Sequence, residues 1–65
     1  MSFYAYVPNK EGKEPLGSEN RLIIKDLKTI KGVINRCKKA FRNKPFKLFT
    51  FTNFFDDSTF NEIIV

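Results

Sequence analysis

The sequence predicts a single small α+β domain spanning residues 1–65, with one helix packed on a four-stranded sheet in the order β-β-α-β-β. Two observations support this fold class. Segments near both ends of the chain alternate residue types with a period of two, which is typical of strands, whereas the middle segment has the spacing of an amphipathic helix. A chain of 65 residues also provides material for one domain only.

The first part of the chain contains two predicted strands separated by a loop. Residues 3–7 (FYAYV) place two tyrosines on one face and three apolar residues on the other, and form the first strand. Residues 9–20 contain two glycines, one proline and five charged residues, which predicts a flexible polar loop. Residues 21–27 (RLIIKDL) resume the alternation, with Leu22 and Ile24 on one face, and form the second strand.

The helix is predicted to begin at Ile30 and to end before Pro45. Thr29 is a suitable N-cap, because its hydroxyl can accept a hydrogen bond from a backbone N–H of the first turn. Asp26 is the alternative cap. Pro45 cannot continue a helix and excludes the residue before it from helical geometry. The apolar residues of this segment fall within an arc of about 120°. They are Ile30, Val33, Ile34, Cys37, Ala40 and Phe41.

The last part of the chain predicts a hairpin. Residues 46–52 form the third strand, and residues 53–59 (NFFDDST) contain the turn, since Asn, Asp and Ser side chains hydrogen-bond their own backbone in turns. Residues 60–65 (FNEIIV) form a fourth strand that runs to the last residue of the sequence. These elements fit either a β-grasp-like arrangement or two hairpins clamped by the helix, and the sequence does not choose between them.

The two faces of the predicted sheet divide its aromatic residues. One helix can cover only one face, and we expect Phe49 and Phe51 to contact it because Thr50 and Thr52 weaken the opposite face of that strand. The remaining rings either complete the core at the sheet edges or form a surface for a partner protein or a second copy of the chain. The candidate protein-binding residues are Tyr4, Tyr6, Phe46, Leu48, Phe54 and Phe55.

Positive charge is concentrated in the middle of the chain. The net charge is +5, and residues 21–47 contain ten basic residues and one acidic residue. This pattern predicts either a solvated helix surface or nucleic-acid binding of low sequence specificity. Such binding would be directed at the phosphate backbone or at single strands, whose bases could stack on the exposed aromatic rings. The candidate nucleic-acid-binding residues are Lys31, Asn35, Lys38, Lys39 and Arg42.

The sequence lacks the residue patterns typical of catalytic or metal sites. It contains no histidine and one cysteine, so neither a zinc cluster nor an intramolecular disulfide can form. Cys37 lies on the predicted apolar side of the helix, where a thiol keeps a high pKa and is inert. Asp56 and Asp57 are adjacent in a predicted turn, a place where carboxylates form turns more often than they bind metals. We therefore predict a non-enzymatic protein without a cofactor.

Cysteine usage and hydropathy predict the compartment. A single unpaired cysteine, together with the lack of an apolar leader, indicates a reducing intracellular environment. No apolar run approaches the about 20 residues that a membrane-spanning helix needs. We expect a soluble protein of the bacterial cytoplasm that does not interact with membranes.

Two blocks of the sequence resemble small proteins encoded in phages and prophages of low-GC Gram-positive bacteria. They are GSENRLIIKDLKTIKGVINRCKKAF at 17–41 and FTFTNFFDDSTF at 49–60. The composition agrees, because Phe, Ile, Lys, Asn and Tyr, which AT-rich codons encode, make up 31 of the 65 residues. The resemblance includes no catalytic or ligand-binding motif. It implies an accessory protein that binds another protein of the host or of the phage.

Overall fold

The computed structural model describes residues 2–65 and contains one helix and a four-stranded antiparallel sheet, which confirms the predicted α+β fold class. Two short 3-10 turns, at Ser18–Asn20 and Asp57–Thr59, precede the second and fourth strands. Within residues 2–65, no helix has the length and apolar character needed to cross a membrane. The main elements are β1 (Ser2–Tyr6), β2 (Arg21–Ile24), α1 (Ile30–Ala40), β3 (Lys47–Phe51) and β4 (Asn61–Ile63).

The strands lie in the order β2-β1-β3-β4, and all neighbours are antiparallel. β1 pairs with β2, β3 pairs with β4, and the two pairs meet through β1 and β3, so the structure shows the two-hairpin arrangement. Because β1 runs antiparallel to both of its neighbours, β2 and β3 are parallel to each other. A chain that connects parallel strands must cross the sheet, and α1 makes this connection over one face.

Local side-chain chemistry determines where α1 begins. The Thr29 hydroxyl accepts a hydrogen bond from the backbone N–H of Gly32 at 3.2 Å, which confirms Thr29 as the N-cap. Asp26 does not cap the helix. Its carboxylate accepts a hydrogen bond from the Arg36 guanidinium at 2.7 Å, and this contact holds the pKa of Asp26 below its usual value.

The backbone ends α1 at Ala40, several residues before Pro45. The N–H of Asn43 donates to the carbonyl of Lys38 at 2.9 Å, as in a Schellman closure. Arg42 and Asn43 adopt left-handed conformations, with φ of 54° and 63°. Such conformations cost a non-glycine residue roughly 1–2 kcal/mol, so glycine is the more usual residue at this type of helix end.

Three strands are shorter than predicted, and β3 spans Lys47–Phe51 instead of residues 46–52. β2 ends at Ile24, before the predicted end at residue 27. β4 starts after Phe60 and stops at Ile63, so it does not reach the last residue, and Ile64 and Val65 are exposed. Strand pairing depends on a partner as well as on local alternation, and β3 offers partners only to residues 61–63.

The main core lies between α1 and one face of the sheet. The buried side of α1 is narrower than predicted, because Ile30 is 47% exposed and Ala40 is also exposed. Ile34 contributes at the edge of this core. The buried residues of the main core are Phe3, Ala5, Ile24, Val33, Cys37, Phe41 and Leu48.

The predicted orientation of β3 was wrong. Leu48 is fully buried beneath α1, and Phe46 packs against Phe41 with ring centroids 5.7 Å apart. These two candidate binding residues therefore belong to the helix side of the sheet. Phe49 and Phe51, which were expected to contact α1, lie on the opposite face with the two tyrosines of β1.

The reason for this inversion is that the face opposite α1 has a covering of its own. Residues 52–60 fold back across the sheet, and the ring of Phe60 stacks on Phe51 at 4.9 Å. Phe51 and Tyr4 are buried by this packing although no helix lies above them. Alternation along a strand specifies which residues share a face, but it does not specify which face a helix will cover.

Candidate functional site

Six aromatic rings form a second cluster on the face of the sheet opposite α1. The rings of Tyr6 and Phe49 stack at 5.8 Å, whereas Phe60 meets Tyr4 edge-on at 6.1 Å. Offset stacks and edge-on contacts are the arrangements that aromatic pairs prefer, so the rings stabilise one another's positions. We call these residues the open-face cluster. Its members are Tyr4, Tyr6, Phe49, Phe51, Phe54 and Phe60.

Polar side chains hold the turn between β3 and β4 in one shape. The Asn53 carboxamide oxygen accepts from the N–H of Phe55 at 3.0 Å. The Asp56 carboxylate accepts from the N–H of Ser58 at 3.0 Å and from its hydroxyl at 2.7 Å, which holds the pKa of Asp56 below its usual value. The Thr59 hydroxyl oxygen accepts from the N–H of Asn53 at 3.2 Å. These bonds hold the backbone that carries the rings at the tip of the turn.

The two adjacent phenylalanines at this tip have different environments. Phe54 contacts Tyr4 and Phe51 with centroid distances of 5.9 and 5.5 Å, and it is 42% exposed. Phe55 meets Phe54 edge-on at 5.7 Å and is 94% exposed. The sequence grouped these residues as one candidate patch, but only Phe55 is free of the packed cluster.

A carboxylate from the long loop reaches the open-face cluster. The Tyr4 hydroxyl donates a hydrogen bond to the Glu14 carboxylate, and Glu14 Oε1 lies 3.8 Å from the Arg21 guanidinium. Burial, together with this hydrogen bond, raises the pKa of Tyr4 to about 12. Glu14 therefore joins residues 9–20 to the sheet at this point, while the flexibility of the rest of the loop stays a prediction.

A cleft of about 320 Å³ opens within the open-face cluster. Two carboxylates, Glu14 and Asp57, stand among its aromatic walls. The Asp57 side chain forms no hydrogen bond or ion pair with any residue in the range 2–65. The sequence interpretation treated Asp57 as a turn residue and did not single out Glu14, Phe49 or Phe60 for binding. No local signal could have found this site, because three distant segments form it.

The five candidate nucleic-acid-binding residues are exposed, and they lie on α1 or at its C-terminal end. Among residues 2–65 the four basic members of this group form no ion pair. We call them the basic helix face: Lys31, Lys38, Lys39 and Arg42. Because α1 covers one side of the sheet and the open-face cluster lies on the other, the two candidate surfaces face in opposite directions.

The chemistry of Cys37 follows from its burial. The thiol lies in the main core, and burial raises its pKa to about 11, so almost no thiolate forms at neutral pH. In the described part of the chain, no group of three or more His, Cys, Asp or Glu residues is placed to hold a metal ion. The candidate surfaces are therefore the open-face cluster with Phe55 and the basic helix face.

Comparisons of the chain with protein-family models, curated proteins and solved structures found no match. The resemblance to phage proteins thus stays a prediction from the sequence. Function is therefore indicated by the geometry and charge of the two candidate surfaces.

Proposed function

We propose that this protein is a non-enzymatic accessory protein, encoded by a phage, that binds another protein through Phe55 and the adjoining open-face cluster. The observation that supports this proposal is the 94% exposure of Phe55 at the tip of an internally hydrogen-bonded turn. Burying a phenylalanine side chain in a partner contributes roughly 1.5–3 kcal/mol. The hydrogen-bonded turn holds the backbone of Phe55 in position, so little backbone freedom is lost when a partner binds. The phage origin depends on the sequence resemblance alone.

Charge indicates the kind of partner that this surface fits. Residues 48–65 contain three acidic residues and no basic residue, although the whole chain has a net charge of +5. Asp56 and Asp57 follow Phe55 directly, and Glu62 lies opposite Phe49 on the same face of the sheet. The partner we propose therefore presents an apolar pocket for Phe55 that is bordered by basic side chains.

The substitution Phe55→Ser tests this proposal. We expect the variant to lose partner binding by about 30-fold or more, as is typical of an aromatic residue at the centre of an interface. Its stability should remain within about 0.5 kcal/mol of the parent, because the ring contributes little to the folded monomer. Partners would be captured from the lysate of a low-GC Gram-positive host, identified by mass spectrometry and purified, and their Kd values then measured with each variant.

The matched control is Leu16→Ser, which changes an apolar residue that is 99% exposed but lies in a different loop. We expect this control to bind the purified partner as tightly as the parent protein. Equal partner affinity for Phe55→Ser and the parent would contradict the proposal. A large loss of melting temperature in Phe55→Ser would instead place the ring in the folding core.

A second candidate function is nucleic-acid binding by the basic helix face. The observation in its favour is that four exposed cations, on α1 and at its C-terminal end, have no acidic neighbour in the sequence from residue 27 to 55. The position of two of these cations argues against phosphate binding. Lys38 and Lys39 lie in the last turn of α1, where the negative end of the helix dipole opposes phosphate.

Salt dependence distinguishes phosphate binding from a solvated helix surface. If three cations contact phosphates of duplex DNA, the association constant should fall roughly 40-fold between about 50 and 200 mM salt. Fluorescence titration with labelled single- and double-stranded oligonucleotides would measure this change. The double variant Lys38→Gln and Lys39→Gln should reduce the salt dependence, whereas Lys10→Gln, in the loop between β1 and β2, should not. Absence of binding at the lower salt concentration would exclude this function.

A further inference from the structure

We propose that the cleft in the open-face cluster receives a lysine or arginine side chain of the partner protein. This inference rests on the proposed function, because it concerns the surface next to Phe55. Phe54 joins the two features: it lines the cleft, and its ring lies 5.7 Å from that of Phe55. A partner that covers Phe55 therefore also reaches the mouth of the cleft.

The arrangement of the rings suits an organic cation. Phe60 stands at 68° to Phe49 and at 89° to Tyr4, with centroid distances of 6.5 and 6.1 Å. Tyr6 extends the surface of Phe49 by stacking on it at 20°. All four rings line the cleft. The face of an aromatic ring attracts an ammonium or guanidinium group that comes within about 6 Å of the ring centroid.

The carboxylates give the cleft the charge that a cation needs. Glu14 already has two partners, since it accepts from the Tyr4 hydroxyl and lies 3.8 Å from Arg21. Asp57 has no side-chain partner among residues 2–65, so its charge remains available at the wall of the cleft. Arg21 and Lys47 flank Tyr6 in the strand register but do not line the cleft, whereas both carboxylates do. A positively charged side chain is therefore the ligand that matches the charge of the cleft wall.

The size of the cleft agrees with a single side chain. Its volume of about 320 Å³ is near the lower end of the range found for ligand pockets, roughly 300–1,000 Å³. The aliphatic stem of lysine or arginine can lie along the rings while its charged end reaches Asp57, because such side chains combine an apolar stem with a polar tip. The cleft thus provides both parts of the side chain with a matching surface.

Titrations with capped amino acids, followed by NMR of the aromatic ring resonances, test this inference. The probes are the N-acetyl methylamides of lysine, arginine and norleucine, the last being an uncharged analogue of lysine. We expect lysine or arginine to shift the rings of Tyr6, Phe49 and Phe60 with a Kd in the millimolar range, about 1–20 mM. Norleucine should bind at least about fivefold more weakly, since it lacks the cation.

Asp57→Asn is the informative variant, because it keeps the shape of the side chain and removes its charge. We expect it to weaken the lysine or arginine probe about three- to fivefold, while its circular dichroism spectrum stays that of the parent. Glu11→Gln removes a carboxylate from the exposed tip of the long loop and serves as the control. It should leave the affinity of the probe unchanged.

Two results would overturn the inference. One is equal affinity for norleucine and lysine, or no ring shift with any probe up to about 50 mM. The other is a purified partner that binds Asp57→Asn as tightly as the parent protein. In that second case a loss of binding in Phe55→Ser would still support the proposed function. Equal affinity for Phe55→Ser and the parent would instead remove the proposed function itself, so the two failures are distinguishable.

Discussion

Replacing Leu48 by alanine is expected to lower the free energy of unfolding by about 2–5 kcal/mol. Leu48 is fully buried in the main core, next to Ala5 of β1 and Ile63 of β4 in the strand register. Alanine would leave a cavity that the paired strands cannot close by moving together. A domain of this size has a total stability on the order of 5 kcal/mol, so much of the variant should be unfolded at 37 °C.

Urea denaturation followed by circular dichroism would measure this loss. Leu16→Ala is the matched control, because it removes the same atoms from a side chain that is 99% exposed, and its effect should stay within about 0.5 kcal/mol. The comparison also tests which face of β3 packs against α1. Equal stability of both variants would place Leu48 on an exposed face, as the sequence predicted, and would contradict its burial beneath α1.

Stability is expected to fall steeply in alkaline solution, as pH rises from about 9 to about 12. Burial raises the pKa of Cys37 from 9.0 to about 11, and burial together with the Glu14 hydrogen bond raises that of Tyr4 from 10.0 to about 12. Both groups are neutral in the folded protein at pH values where they already ionise in the unfolded chain. Their contribution is therefore fully present below the unfolded pKa values and is lost as pH rises through the folded ones.

The size of this effect follows from the two shifts. One pKa unit corresponds to about 1.4 kcal/mol, so each group should contribute on the order of 2–3 kcal/mol to the loss. Urea denaturation at a series of pH values would measure it. Cys37→Ala and Tyr4→Phe each remove one ionising group, and the slope of stability against pH should decrease in each variant. An unchanged slope in both variants would contradict the role given to these groups, because the titration of other residues would then explain the loss of stability.

The candidate site was predictable in part. Tyr6, Phe54 and Phe55 are half-buried or exposed on the side of the sheet away from α1. Tyr4, which was expected on the same surface, is buried, with an exposure of 6%. The four basic residues that the charge pattern singled out are exposed, on α1 or at its C-terminal end. Composition and the period of the helix can be read from the sequence without knowing which distant segments come together.

Glu14 and Asp57 show why the rest could not be predicted. Glu14 meets Tyr4 across ten positions of the sequence, through a loop whose path no periodicity describes. Asp57 belongs to a turn, and turn chemistry alone explains its residue type. Their common cleft exists only because residues 52–60 fold back over the sheet, which is a contact between distant segments.

Local interactions specify the elements of this protein: the Thr29 cap begins α1, the spacing of Val33 and Cys37 gives it an apolar side, and alternation produces the strands. The sequence therefore contains the α+β fold class and the order of its elements. Tertiary packing determined which face of β3 contacts α1, because Leu48 and Phe49 are both apolar and either could be buried. The free energy of packing selected Leu48 for the helix side, since Phe54 and Phe60 could cover the aromatic side.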